Sequence, residues 1–266
     1  MNEITKSKKF GNLIATIQEL ETELSELFHE RDKILYHICP KLKAEYMLKI
    51  GKLEYAIFEY QCKTLRTKRK IEIIQAALNR EESYNIAKID KQLDKEYHEY
   101  TNKLIEKQKE IDEARSIKKS TGKTLTEKEA SELKKVYTLI VKKLHPDINP
   151  DTTEEQRKQF NDAIDAYKKA DLSEIKIIYL IIEKTSVTET PNSMEKLEER
   201  KKLLHIEKEN LMNGIQKIKD AFPYCIKDLL LDETKMQNKI DELSKLLTEY
   251  REQFNNLETR LEQMIK

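Results

Sequence analysis

Apolar residues recur every three or four positions along most of this chain, the spacing that lines one face of an α-helix. From Phe10 the spacing selects Leu13, Ile17, Leu20, Leu24 and Leu27, passes through Arg31, and resumes at Ile34 and Ile38, with Glu and Lys filling the positions between. This predicts a long helix. Pro40 is expected to stop it, because proline lacks the amide donor of the next turn and suits the first turn of a new helix. A helical hairpin over residues 38–42 follows from that reading. From Leu42 to about Lys119 the spacing runs through Leu53, Ile57, Tyr60, Ile71, Ile74 and Leu78, then through Ile86, Ile89, Leu93, Tyr100, Leu104 and Ile111. The register drifts between Asn79 and Asn85, which marks a kink or short break.

The C-terminal part carries the cleanest pattern. Leu229, Met236, Ile240, Leu243, Leu247, Tyr250, Phe254, Leu257, Leu261 and Met264 alternate by four and three, with Glu233 as the polar exception. A sustained four-three alternation is the signature of a coiled-coil seam. A weaker seam of Leu197, Leu204, Leu211 and Ile218 precedes it, separated by Pro223. The expected fold class is all-α: a long antiparallel coiled-coil or helical bundle. Its hairpin would pair Ile86–Lys119 with Met194–Phe222, while Phe10–Ile38 and Leu229–Met264 pack along Leu42–Leu78. Seams meeting between chains, in a homo-oligomer, are the alternative.

Residues 120–186 read as a small module inserted between an N-terminal helical region, 1–119, and a C-terminal one, 187–266. The module opens with Ser120-Thr121-Gly122 and is followed by a Ser/Thr-rich stretch ending at Pro191-Asn192-Ser193. Thr126-Glu127-Lys128-Glu129 is a capping box, which predicts a helix start. On that helix Leu133, Val136, Tyr137, Ile140 and Leu144 form one stripe, while Lys134, Lys135 and Lys142 project opposite and Lys143 lies at the edge. His145-Pro146-Asp147 ends it, since Pro146 keeps His145 out of the helical region. A second capping box, Thr153 to Gln156, opens another helix whose stripe is Phe160, Ala163, Ile164 and Tyr167.

The stretch LKKVYTLIVKKLHPDINP followed by FNDAIDAY resembles the J domain, the defining module of DnaJ-type co-chaperones. Leu133, Tyr137, Ile140 and Leu144 match that family's basic-faced helix, His145, Pro146 and Asp147 its tripeptide, and Phe160, Ala166 and Tyr167 the helix that follows. The family's usual first helix has no counterpart directly upstream, and the end of the long helix near Ile111–Ile117 is expected to substitute. The apolar run Ile175 to Ile182 replaces the usual basic ending and is expected to pack the module onto the rod. Without a Gly/Phe-rich linker or a cysteine-rich zinc domain, the resemblance is to the divergent class defined by its J domain alone.

The resemblance implies a DnaK-type ATPase chaperone as partner, whose ATP hydrolysis is stimulated without bond chemistry by this chain. Lys134, Lys135, Lys142 and Lys143 would steer docking to an acidic surface, Asp147 would take a partner arginine, Pro146 would fix the turn, and His145 would orient it. The rod would then hold a client or a targeting site. A structural or scaffolding protein with a docking module that does not stimulate ATPase activity is the competing expectation.

Composition narrows the field. Charged residues are 37% and hydrophobic ones 38% of 266, and the chain has 4 glycines and 5 prolines, which leaves little turn chemistry for sandwiches or Gly-rich nucleotide folds. Lys and Arg, at 50, nearly cancel 49 Asp and Glu, so no bulk field favours nucleic acid or an anionic membrane. The cluster Lys63, Arg66, Lys68, Arg69 and Lys70 lacks interleaved aromatics and reads as a solvated helix face. Ser120-Thr121-Gly122-Lys123-Thr124 mimics the end of a P-loop, but Ile117 stands where the leading glycine belongs. No enzyme activity, cofactor or metal is expected. Cys39, Cys62 and Cys225 form no CxxC pair, and with no signal-peptide-like apolar segment near the N-terminus a cytoplasmic location is expected.

Overall fold

The computed structural model describes residues 3–120, 125–185 and 193–265. These are helical almost throughout, with no strand among the described residues. The expected P-loop mimic and the Ser/Thr-rich stretch before Ser193 lie largely outside the described residues. The chain is all-α, and it divides into two compact units that each use two separate stretches of sequence. One comprises Met1–Pro40 with Lys123–Cys225, the other Lys41–Gly122 with Ile226–Lys266. This differs from the three successive segments expected from the sequence.

In the first unit, α1 (Glu3–Lys33) lies beside α9 (Met194–Asp220) and also covers α6 (Glu127–Leu144). Ion pairs Glu21–Arg200, Glu23–Lys208 and Glu30–Lys219, each 2.7 Å long, ascend together along both helices, so α1 and α9 run parallel. Ile17, Leu20 and Leu24 of α1 share a buried core with Leu197, Leu204 and Leu211. The expected pairing of Met194–Phe222 with Ile86–Lys119 is therefore corrected. Periodicity defines which face of a helix is apolar but does not name its partner, which here is α1, with Glu21, Glu23 and Glu30 opposite Arg200, Lys208 and Lys219.

Pro40 does not stop the helix. A π turn, Ile34–Ile38, leads directly into α2 (Cys39–Tyr46), and the Cys39 amide reaches back five residues to the Ile34 carbonyl. The wider turn takes up the missing proline donor and the ring that a regular turn would not accommodate. The expected hairpin at residues 38–42 is absent.

α6, α7 (Glu154–Lys168) and α8 (Leu172–Thr185) pack on one another beneath α1. Thr126 and Thr153 each close a reciprocal capping box, with Glu129 and Gln156. Ile175 and Ile182 of α8 are buried in the same core, whereas Ile177 and Leu180 face solvent.

The second unit is built on α3 (Lys52–Asn79), which follows a further π turn at Met47–Gly51. After α3 the chain breaks over residues 80–85, where the sequence pattern drifts, and α4 (Ile86–Glu96) and α5 (His98–Ser120) pack back onto α3 and the turn before it. α10 (Lys227–Leu231) leads into α11 (Glu233–Ile265), which lies along α3 as the C-terminal seam implies. Ile50 clusters with Met236 at one end and Ile74 with Leu261 at the other, so α3 and α11 run in the same direction. The other expected neighbour of this stretch, Phe10–Ile38, belongs chiefly to the first unit instead.

Candidate functional site

The two ring contacts Tyr137–Tyr167 and His145–Phe160 run in opposite order along the chain, which makes α6 and α7 antiparallel. The His-Pro-Asp tripeptide is the turn between them. The amides of Ile148 and Asn149 both donate to the His145 carbonyl, at 3.0 and 2.8 Å, and the Asn149 side-chain amide donates to the Lys142 carbonyl at 2.8 Å. The turn is thus anchored to the last turn of α6, satisfying carbonyls that a helix end leaves open.

The three residues differ in exposure. Asp147 presents its carboxylate to solvent, 47% exposed, and Pro146 is half-buried. His145 is only 7% exposed. Its Nδ1 accepts the Asp147 amide at 3.2 Å, so the ring is held as the neutral tautomer with its other nitrogen protonated. Burial, and after it the Arg31 guanidinium, push this imidazole down to about 3. The 3.7 Å approach of Asp147 Oδ2 to His145 Nδ1 is accordingly no ion pair at neutral pH.

α1 and Phe160 of α7 together bury His145. The Phe28 ring stacks on the imidazole, and four residues on Asp32 accepts a 2.6 Å hydrogen bond from the Tyr137 hydroxyl. Asp32 is 1% exposed and pairs with Arg31 at 2.8 Å. Tyr167, stacked on Tyr137, shares a 3.1 Å hydrogen bond with His29 Nε2. Burial first, then Lys134 and Lys33, hold His29 down to about 4. Beside this network Arg200 of α9 donates to Glu21 and to the carbonyl of Ile148.

The four lysines are not equivalent. Lys134 and Lys135 are exposed, Lys134 at the mouth of an open groove lined also by Glu26, Glu30 and Lys208. Lys142 instead donates to Thr22 Oγ1 of α1 at 2.7 Å, and Lys143 sits over the Tyr179 ring at 5.3 Å. Burial, and after it the charge of Asp147, push the Glu207 carboxyl of α9 up.

Of the expected core, Leu133, Tyr137, Ile140, Leu144, Phe160 and Tyr167 are buried, while Val136 and Ile164 are half-buried. Val141 and Ile148 are buried as well and were not in either stripe. Ile111 and Ile117, expected to replace a first helix, belong to the other unit, where Ile111 is buried with Ala44, Met47 and Ala114. The helix that packs on α6 is α1. Phe28, His29 and Asp32 are the residues that sequence reasoning missed; the signal was the adjacent pair Leu27-Phe28, which makes the apolar face of α1 wide enough for two partners.

Elsewhere, Arg66 and Lys70 pair with Asp90, and Arg69 with Glu72 and Glu96, so most of the basic cluster is neutralised within its own unit. Among the described residues no group of three or more His, Cys, Asp or Glu is placed to hold a metal, and no helix is long and apolar enough to cross a membrane. No family model matches this chain, and no curated protein or solved structure matches it.

Proposed function

We propose that α6, the tripeptide turn and α7 form a J-type docking element that recruits a DnaK-type chaperone and stimulates its ATP hydrolysis. The observation that carries this reading is Asp147: an exposed carboxylate on a turn pinned between two capped antiparallel helices. A fixed carboxylate is what a partner guanidinium needs for a charge-assisted hydrogen bond. Lys134 and Lys135, exposed on the same helix, supply cations that favour encounter with an acidic surface, an effect that weakens with salt. The long helices of the second unit would hold the client or the targeting site. The protein performs no bond chemistry.

Burial of His145 under Phe28 favours a second reading, a scaffold whose J-like element docks a protein without stimulating hydrolysis. Single-turnover ATP hydrolysis by a DnaK-type chaperone, with wild type, Asp147→Asn or Phe28→Ala added, separates the two. Stimulation abolished by Asp147→Asn at unchanged thermal stability supports the co-chaperone. If neither wild type nor Phe28→Ala stimulates a chaperone that responds to an authentic J protein, the scaffold reading stands.

A further inference from the structure

The backbone of the tripeptide turn is fixed from within by the amides of Ile148 and Asn149 on the His145 carbonyl and by the Asp147 amide on His145 Nδ1. A further bond comes from outside the two helices that the turn joins. Arg200, 52 positions beyond Ile148 on α9, uses its Nη2 to donate to the Ile148 carbonyl at 3.3 Å and to Glu21 of α1 at 2.7 Å. One guanidinium nitrogen thus ties the residue that follows Asp147 to both long helices of the unit.

Arg200 is placed by its own helix. It stands three residues after Leu197 and four before Leu204, both buried in the core that α9 shares with α1, so it lies on the packed face of α9. Its side chain is 28% exposed and that of Glu21 is 16% exposed. A charge-assisted bond in such partial shelter is stronger and less screened than one in open solvent. Ile148, which receives it, is anchored twice more, by its side chain in the same core and by its amide on His145. Asp147, by contrast, projects its carboxylate into solvent. The direction of that carboxylate is therefore set by the backbone on either side of it, and Arg200 holds the C-terminal side.

We propose that Arg200 is a positioning residue for Asp147: it aims the carboxylate at a partner guanidinium, so that α9 belongs to the docking element with α6, the turn and α7. The effect on a partner rests on the docking reading, whereas the brace on the turn does not. A hydrogen bond weakens steeply as its angle closes, so a misdirected carboxylate forfeits most of the contact. Lys134 and Lys135 then govern encounter, and Arg200, acting through Asp147, governs what the encounter achieves.

The test uses the full-length protein with Arg200→Met, Arg200→Lys, or Arg200→Met combined with Glu21→Gln. The combined variant strands no carboxylate and serves should Arg200→Met alone fail to fold. Amide-resolved hydrogen exchange reads the brace: in Arg200→Met the amides of Ile148 and Asn149 are expected to exchange at least about fivefold faster, with those of Ile140 and Val141 unchanged. Single-turnover ATP hydrolysis by a DnaK-type chaperone, over a range of concentrations of the added protein, reads the function. The maximal stimulated rate is expected to fall at least about threefold in Arg200→Met, with the half-saturating concentration and its salt dependence within about twofold of wild type. Partial unfolding gives the reverse pattern, a higher half-saturating concentration at an unchanged maximum. An ammonium has donors enough for both acceptors, so Arg200→Lys should keep at least about half of the wild-type maximum. Wild-type exchange at Ile148 and Asn149 in Arg200→Met overturns the brace, and a wild-type maximum with the turn loosened overturns the positioning role. If wild type itself stimulates no chaperone that responds to an authentic J protein, the docking reading falls and takes the positioning role with it, while faster exchange still upholds the brace.

Discussion

The ring of Phe28 lies on the imidazole of His145 with centroids 3.6 Å apart and 26° between the planes. An aromatic residue from the first helix thus determines the environment of the first residue of the tripeptide, far along the chain. Its measurable consequence is pH dependence. His145 and His29, held down to about 3 and about 4, stay neutral in the folded protein where an unfolded histidine, near 6.5, takes up a proton. Their contribution is fully present above pH 6.5 and is lost as pH falls toward the folded values. Between pH 6.5 and 5 each costs about 2 kcal/mol of folding stability. Urea unfolding at pH 7 and pH 5 reads the loss, and His145→Gln should remove about half of the dependence. An NMR titration placing the His145 imidazole near 6.5 contradicts the burial described.

Asp32 and Tyr137 form a buried pair that cannot be half removed. Tyr137→Phe leaves the Asp32 carboxylate without its 2.6 Å donor, and Asp32→Ala leaves a buried hydroxyl and Arg31 unanswered. Each single variant should cost about 2–4 kcal/mol. The double variant should cost less than the sum by about 1–3 kcal/mol in a double-mutant cycle. Additivity within experimental error would mean that the two groups do not interact in solution.

The capping boxes at Thr126 and Thr153 lie on different helices of one unit. Thr126→Ala and Thr153→Ala should each lower stability by about 1 kcal/mol and combine additively. Chemical denaturation midpoints check this, and a neutral Thr126→Ala would argue against the start of α6 as described.

The second unit has its own buried residues. Ile74→Ala, at a fully buried site among Ile71, Leu93 and Leu261, should cost about 2–5 kcal/mol. Exchange rates should rise in α3, α4 and α11, with those of α6 and α7 unchanged. A uniform rise through the whole chain would show instead that the two units unfold as one.

Local features of the candidate site were legible in the sequence because local chemistry decides them. Thr126 with Glu129, Thr153 with Gln156, and Pro146 after His145 each act within one helical turn, and all three do in the structure what their spacing implies. Partners across space were not legible. The seven-residue spacing of Leu197, Leu204 and Leu211 marks one apolar face and does not name what covers it; in the structure that is α1, with Glu21 and Glu30 opposite Arg200 and Lys219. Pro40 misled because the usual rule assumes a regular helix, and a single π turn is enough to pass it. Val141, four residues after Tyr137 and three before Leu144, lies at helical spacing beside the stripe and widens the buried face of α6.

The first unit joins residues 1–40 to residues 123–225, and this discontinuity constrains the order of events at birth. Asp32 leaves the ribosome 105 positions ahead of Tyr137. At roughly 5–20 residues per second, α1 waits about 5–20 s before its binding surface exists. During that interval its wide apolar face must stay in solution or be held by something else. α6, α7 and α8, being contiguous, can close on one another as they emerge, whereas α1 can only arrive late and by a long loop closure. The youngest protein molecule therefore passes through a stage in which His145 has not yet met Phe28.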